Sequence, residues 1–317
     1  MQFRTKIPLK LKTPKIDYRS KVLMIGSCFV ENIGDKLDYY KLQNLRNPFG
    51  ILFHPGAIEN FISRAISDYV YSSEDIFYHN ERWHCFEAHS VLSDPNQNEL
   101  LKKLNQNLQL TRNYLTKASH IVITLGTAWV YKNIETSKFV ANCHKLPQKN
   151  FSKELLSLAE IEGSLHSLIS ALKKINPDLT IIFTVSPVRH LKDGFVENQI
   201  SKAHLIAALH KVINENNSLV NYFPAYEIMM DELRDYRFYA EDMLHPNPVA
   251  INYIWEKFVE VWFSSQAVSI LKQIESIQKS LAHRPFDEHS ISYRTFSQKL
   301  QDKIEDLKKE IPHLNFY

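Results

Sequence analysis

Three runs of strand length stand apart in this chain: Val22-Leu23-Met24-Ile25, His120-Ile121-Val122-Ile123-Thr124-Leu125, and Thr180 to Val185. Each is continuously apolar or β-branched, and the long segments between them repeat their apolar residues at helical spacing. Strands of this kind need cover on both faces, so the alternation calls for an α/β fold, a doubly wound parallel sheet between two helical layers. Leu42 to Arg46 and Leu219 to Phe223 are weaker runs that bring the expected sheet to five strands.

Helical periodicity is read after the first strand at Phe29, Ile33, Leu37 and Tyr40, then over 57–69, 97–116, 153–175, 197–216 and 249–264. Tyr71 to Ser93 is irregular and aromatic, which suggests an inserted hairpin or lid. A loop carrying Val140 to His144 is expected after the His120–Leu125 strand. Beyond Ser269 two further helical patterns appear, one with Ile270, Leu271, Ile274 and Ile277, the other from Tyr293 to Lys309. The expected organisation is a main domain over 1–265 and a helical extension over 266–317 that docks on it or mediates self-association into a homo-oligomer.

Charge narrows the function classes. Lys and Arg number 38 against 35 Asp and Glu, with no basic stripe interleaved with aromatics, so a dedicated nucleic-acid binder is not expected. Five basic residues lie within Met1 to Lys15, but no apolar core follows them and no stretch is long enough to span a membrane. Cys28, Cys85 and Cys143 are odd in number and form no Cys-x-x-Cys pair, which points to reduced thiols and a cytoplasmic location.

Ligands of open α/β sheets bind beyond the carboxyl ends of the strands, and the chemically suggestive residues fall there. Ser27 follows the first strand, Gly50 the second, Gly126-Thr127 the third and Arg189 the fourth; Asp242 and His245 lie beyond the fifth. A serine hydroxyl attacks at neutral pH only if an imidazole takes its proton, and the imidazole needs a carboxylate on its other nitrogen. Ser27, His245 and Asp242 supply these parts. Cys28, the first residue of an apolar helix face, reads as a packed thiol. His79, His84 and His89 are five apart, a spacing that aligns metal ligands on neither a helix nor a strand, so neither a metal nor an organic cofactor is expected.

Four blocks, Gly26-Ser27-Cys28-Phe29-Val30, Asn47-Pro48-Phe49-Gly50, Asn142-Cys143-His144-Lys145 and Tyr239 to Pro246, resemble the GSCFA family within the SGNH hydrolase superfamily of esterases and lipases. The resemblance implies a flavodoxin-like three-layer fold and an oxyanion hole shared by the serine amide, a glycine amide and an asparagine side chain. Gly50 is then the candidate glycine donor. The superfamily's Gly-x-Asn-Asp reads Gly126-Thr127-Ala128-Trp129 here, without the asparagine, and Asn142 or Asn47 is the expected substitute. His144 and Arg189 are candidate substrate contacts, and Trp83, Trp129 and Tyr131 a candidate platform for a sugar. The expected function is a serine esterase acting through an acyl-enzyme on a small or carbohydrate-linked ester. The alternatives are an acyltransferase with the same triad and a catalytically silent binding module.

Overall fold

Side chains alternate across a strand, and the first strand, β1 (Lys21–Gly26), sends Leu23 and Ile25 to one face and Val22 and Met24 to the other, all of them buried. Both faces must therefore be covered, and both are. The structure is a computed structural model and describes residues 5–216, 220–287 and 289–316. After β1 come α1 (Phe29–Tyr39), β2 (Gln43–Arg46), α2 (Pro55–Ile66), the strands β3 (Phe77–His79) and β4 (Arg82–His84), and α3 (Gln97–Leu115). Next are β5 (His120–Leu125), β6 (Trp129–Asn133), β7 (Phe139–Val140), β8 (Phe151–Leu155), α4 (Leu158–Ile175), β9 (Thr180–Val185), α5 (Phe195–Glu215) and β10 (Val220–Tyr222). The chain closes with the single turn α6 (Ala225–Glu227), α7 (Pro248–Trp262), α8 (Ser265–Leu281) and α9 (Ile291–Glu310).

β2, β1, β5, β9 and β10 lie side by side in that order, and every neighbouring pair is parallel. Counted along the chain this is the order 2-1-3-4-5, the flavodoxin-like winding, and its switch point lies between β1 and β5. The expected α/β class with a central parallel five-stranded sheet is the observed one. α2, α3, α4 and α5 cover one face; α1, α7 and α8 cover the other. Ile270, Ile274 and Ile277 of α8 and Ile304 and Leu307 of α9 enter the same core as α1 and α7, so the C-terminal helices pack on the sheet domain. No helix among the described residues is long and apolar enough to cross a membrane.

The helix expected over 153–175 is corrected at its start. Phe151–Leu155 is strand β8, which pairs antiparallel with β6, and β6 pairs in turn with β7. α4 begins only after Ser157, whose hydroxyl accepts the Glu160 amide while the Glu160 carboxylate accepts the Ser157 amide. Leu155 falls in phase with Leu158 and Ile161, so periodicity alone could not find that boundary. The expected loop after β5 is thus a small three-stranded sheet. The 71–93 insertion contains the hairpin of β3 and β4, turning at Asn80 and Glu81 with φ of 46° and 60°. Leu219, placed at the start of the fifth strand, lies outside the described residues.

Candidate active site

β1 ends at Gly26, whose φ of +143° and whose position against β5 admit no side chain: a Cβ there would stand 2.2 Å from the Thr124 carbonyl oxygen. The Ser27 amide still donates to the Thr124 carbonyl (3.1 Å), so Ser27 continues the strand and is buried, 1% exposed. Its hydroxyl accepts the Phe29 amide at 3.4 Å. One residue later the chain has turned. Cys28 occupies the N-cap position of α1 and is half-buried.

The Cys28 sulfur lies 3.6 Å from Nε2 of His245. Nδ1 of the same ring lies 2.6 Å from the Asp242 carboxylate. A carboxylate accepts, so Nδ1 carries the hydrogen and Nε2 presents its lone pair to the thiol. The other carboxylate oxygen of Asp242 accepts the amides of Leu244 and His245 (2.8 and 3.0 Å), and these bonds, then the imidazole, hold the acid down at about 2.

The loop that carries the pair is braced from several sides. Ala240 donates to the His245 carbonyl and Met243 to that of Ala240, with Met243 itself at φ 59°. The Arg189 amide donates to the Leu244 carbonyl, its guanidinium donates to the Met243 carbonyl, and its plane lies 4.3 Å over the Tyr239 ring. Asn247 then caps α7, with Pro248 at the first helical position.

Lys202 of α5 is 1% exposed and donates to the carbonyls of Gly126 (2.7 Å) and Ser186 (2.8 Å) at the carboxyl ends of β5 and β9. Burial pulls its ammonium down to about 7, and Cys28 opposes that fall. Burial likewise pushes the Cys28 thiol up, while Lys202 and the amides of Cys28 and Phe29 push it down. His190, which faces Lys202 and His245, is driven to about 3 chiefly by burial, and its Nε2 has no partner among the described residues.

The structure brings Asp242 and His245 together but turns the imidazole to Cys28; among the described residues no hydrogen bond joins His245 to Ser27. Gly50 is corrected as a donor, because its amide already donates to the Asn47 carbonyl at 2.7 Å in a turn that needs its φ of +70°. Asn47 is corrected too: its side chain accepts the Gly26 amide and donates to Glu31, which braces the ends of β1 and α1. Asn142 and His144 line a cavity of about 540 Å³ with Phe53, Tyr131, Lys145 and Lys192, a wall to which neither Cys28 nor His245 contributes. His144 is engaged there with the Cys85 carbonyl at 2.7 Å, and burial lowers it to about 4. Arg189 is brought to the site as a brace for the His245 loop. Among the described residues no group of three or more His, Cys, Asp or Glu side chains is placed to hold a metal.

Cys28 is not the packed thiol that its place on an apolar helix face suggests, and Lys202 is a buried polar residue at the site with no motif to mark it. A signal for the lysine was present: Lys202 is in phase with Leu205, Leu209 and Val212, so it sits on the buried stripe of its own helix.

A model described as the GSCFA family matches residues 21–258, and one for the C-terminal domain of GSCFA domain proteins matches residues 274–317. No curated protein matches the sequence. Among solved structures, similarity is found to the acetyl xylan esterase Est2A from the rumen bacterium Butyrivibrio proteoclasticus, with a TM-score of 0.43 and 12% identity over 77% of this chain. This chain spans 63% of that protein's length. An Axe2 acetyl-xylooligosaccharide esterase variant from Geobacillus has a TM-score of 0.42 and 13% identity over 80% of this chain and 100% of its own. A carbohydrate esterase family 3 protein from Talaromyces cellulolyticus has a TM-score of 0.38 and 10% identity over 80% of this chain and 98% of its own.

Proposed function

The chain belongs to the GSCFA family, and from that premise and the site geometry we propose that it cleaves acyl esters through a cysteine nucleophile, with Cys28, His245 and Asp242 as the relay. The observation that carries this reading is the 3.6 Å approach of His245 Nε2 to the Cys28 sulfur. That separation suits a thiol donating to a ring nitrogen, sulfur being larger than oxygen. It replaces the expectation of a serine nucleophile at Ser27.

In the cycle, Nε2 takes the thiol proton, the sulfur attacks the ester carbonyl, and Asp242 stabilises the resulting imidazolium. The developing oxyanion meets the start of α1, where the Cys28 amide has no acceptor among the described residues. His245 then protonates the departing alcohol. Water, activated by the same imidazole, cleaves the thioester, and the thiol is restored. An alcohol in place of that water would make the enzyme an acyltransferase.

The test is a panel of p-nitrophenyl esters from acetyl to octanoyl, assayed with the whole chain and with Cys28→Ala, with products analysed in the presence and absence of a sugar acceptor. Ester turnover that disappears in a folded Cys28→Ala supports the proposal. Turnover that survives there, or a folded wild-type protein silent on the whole panel, counts against it.

A further inference from the structure

The block Asn142-Cys143-His144-Lys145 has no part in the ester cycle, yet the chain holds it in an uncommon conformation. His144 and Lys145 have φ of 50° and 59°, and the Leu146 amide donates to the Cys143 carbonyl at 2.9 Å, a tight turn of the kind that glycine and asparagine usually build. Two bonds fix it: the His144 amide donates to Asn142 Oδ1 (2.8 Å), and the His144 ring donates to the Cys85 carbonyl (2.7 Å). The turn is part of the wall of the cavity of about 540 Å³, a volume within the range of small-molecule sites.

That wall has a one-sided chemistry. Its apolar part includes the rings of Phe53, Tyr131 and Phe151. Its two histidines are engaged and kept neutral by burial, His54 between the Ala57 amide and the Val140 carbonyl, His144 on Cys85. No aspartate or glutamate lines it, but Lys145 and Lys192 do, both exposed. Among the described residues neither ammonium forms an ion pair, and the Asn142 side-chain N–H groups have no acceptor. Two positive charges that share a space without a counter-charge favour an anion between them, and aromatic walls favour a planar apolar body.

We propose that this cavity is a binding site for an aromatic carboxylate, its ring against Phe53, Tyr131 and Phe151 and its carboxylate between the ammoniums of Lys145 and Lys192, with an Asn142 N–H as a third donor. The preformed turn lowers the ordering cost of binding, because Lys145 starts from a fixed backbone. The site stands independent of the reading of Cys28 as nucleophile. Phe53 links it to the end of the sheet: its ring lies 6.4 Å from that of His190, and its Cβ stands 2.8 Å from where a Cβ on Gly126 would be, beyond β5.

Calorimetric titration of the whole chain with 2-naphthoate, with the neutral 2-naphthamide and with inorganic phosphate separates the ring from the charge. 2-Naphthoate should bind with a Kd of about 1 mM or tighter. The amide and phosphate should each bind more weakly, and about 1 M NaCl, which screens charges beyond about 3 Å, should weaken the carboxylate. The double variant Lys145→Gln/Lys192→Gln, changed only at exposed positions and checked by circular dichroism, should bind 2-naphthoate about tenfold more weakly, the sum of two exposed ion pairs, with the amide unaffected.

Cys143 reports the place, since it lines the same wall and is partly exposed. Burial pushes its thiol up to about 11, so alkylation by iodoacetamide is run at pH 9 and followed by peptide mass spectrometry. Bound 2-naphthoate should slow alkylation of Cys143 and leave that of Cys28 unchanged. No saturable binding, an amide or phosphate that binds as tightly, a folded double variant that binds as wild type does, or protection of Cys28 in place of Cys143 would overturn the proposal. Protection of Cys143 supports it whether or not Cys28→Ala abolishes ester turnover.

Discussion

Cys28 and His245, 217 positions apart in sequence, meet with sulfur and Nε2 3.6 Å apart, while Ser27, one residue earlier, is buried. The contrast comes from the end of β1. Ser27 keeps a strand hydrogen bond to Thr124, and the chain becomes helical at Cys28, so adjacent side chains leave in different directions. Ser27→Ala should therefore lose only a buried hydroxyl that accepts one amide, at about 1 kcal/mol of stability. Ester turnover should stay within about tenfold of wild type, a loss of 1.4 kcal/mol at most in the barrier. A loss of a thousandfold in a folded Ser27→Ala would return the nucleophile to the serine.

Asp242→Asn keeps an oxygen for the Leu244 and His245 amides but removes the charge that fixes Nδ1–H. The imidazole then has no fixed tautomer and no partner for its positive form. kcat should fall on the order of a hundredfold or more with little change in KM, as for an interaction that strengthens in the transition state. Steady-state kinetics on the variant check this, and an unchanged kcat would remove Asp242 from the relay.

How much of this was legible in the sequence differs from part to part. The apolar runs at 22–25, 120–125 and 180–185 gave the sheet, because a strand covered on both faces leaves no polar alternation to confuse it. Asp242 and His245 were legible because three residues of one loop bring a carboxylate to an imidazole. Which of Ser27 and Cys28 faces His245 was not, since it depends on where strand geometry yields to helix geometry within two residues. β8 was hidden because Leu155 keeps helical phase with α4, and the Ser157 capping box outweighs that phase. The asparagine expected to complete an oxyanion hole was sought at Asn47 and Asn142; Asn47 is spent on Gly26 and Glu31.

Acid stability follows from buried imidazoles. Burial lowers His54 and His144 to about 4 and His190 to about 3, so each is neutral in the fold near pH 5. The unfolded chain takes up those protons near 6.5. Between pH 6.5 and 4 it is therefore the unfolded state that binds more protons; stability is complete above 6.5 and falls as the pH falls. Each histidine contributes up to about 1.4 kcal/mol per pH unit in that window. His54 caps α2 by accepting the Ala57 amide, and His54→Asn keeps an acceptor while removing the titration. Thermal melts from pH 7 to 4.5 should show a shallower decline for this variant; parallel curves would contradict the assignment.

Arg189 braces the loop that carries His245. Arg189→Lys loses the planar stack on Tyr239 and the donation to Met243, so the His245 loop should open more often. kcat/KM should fall about tenfold, or 1.4 kcal/mol. The amides of Leu244 and His245 should exchange faster with deuterium. Unchanged exchange beside lowered activity would show that Arg189 touches substrate instead.

The most direct measurement is the position of the acyl group. The protein is mixed with a p-nitrophenyl ester, quenched in acid within the first turnovers, digested and mapped by mass spectrometry. The account predicts the acyl mass on the peptide containing Ser27 and Cys28, with fragmentation placing it on Cys28, removal by neutral hydroxylamine, and no such mass in Cys28→Ala. An acyl group on Ser27 that resists hydroxylamine and persists in Cys28→Ala would contradict it.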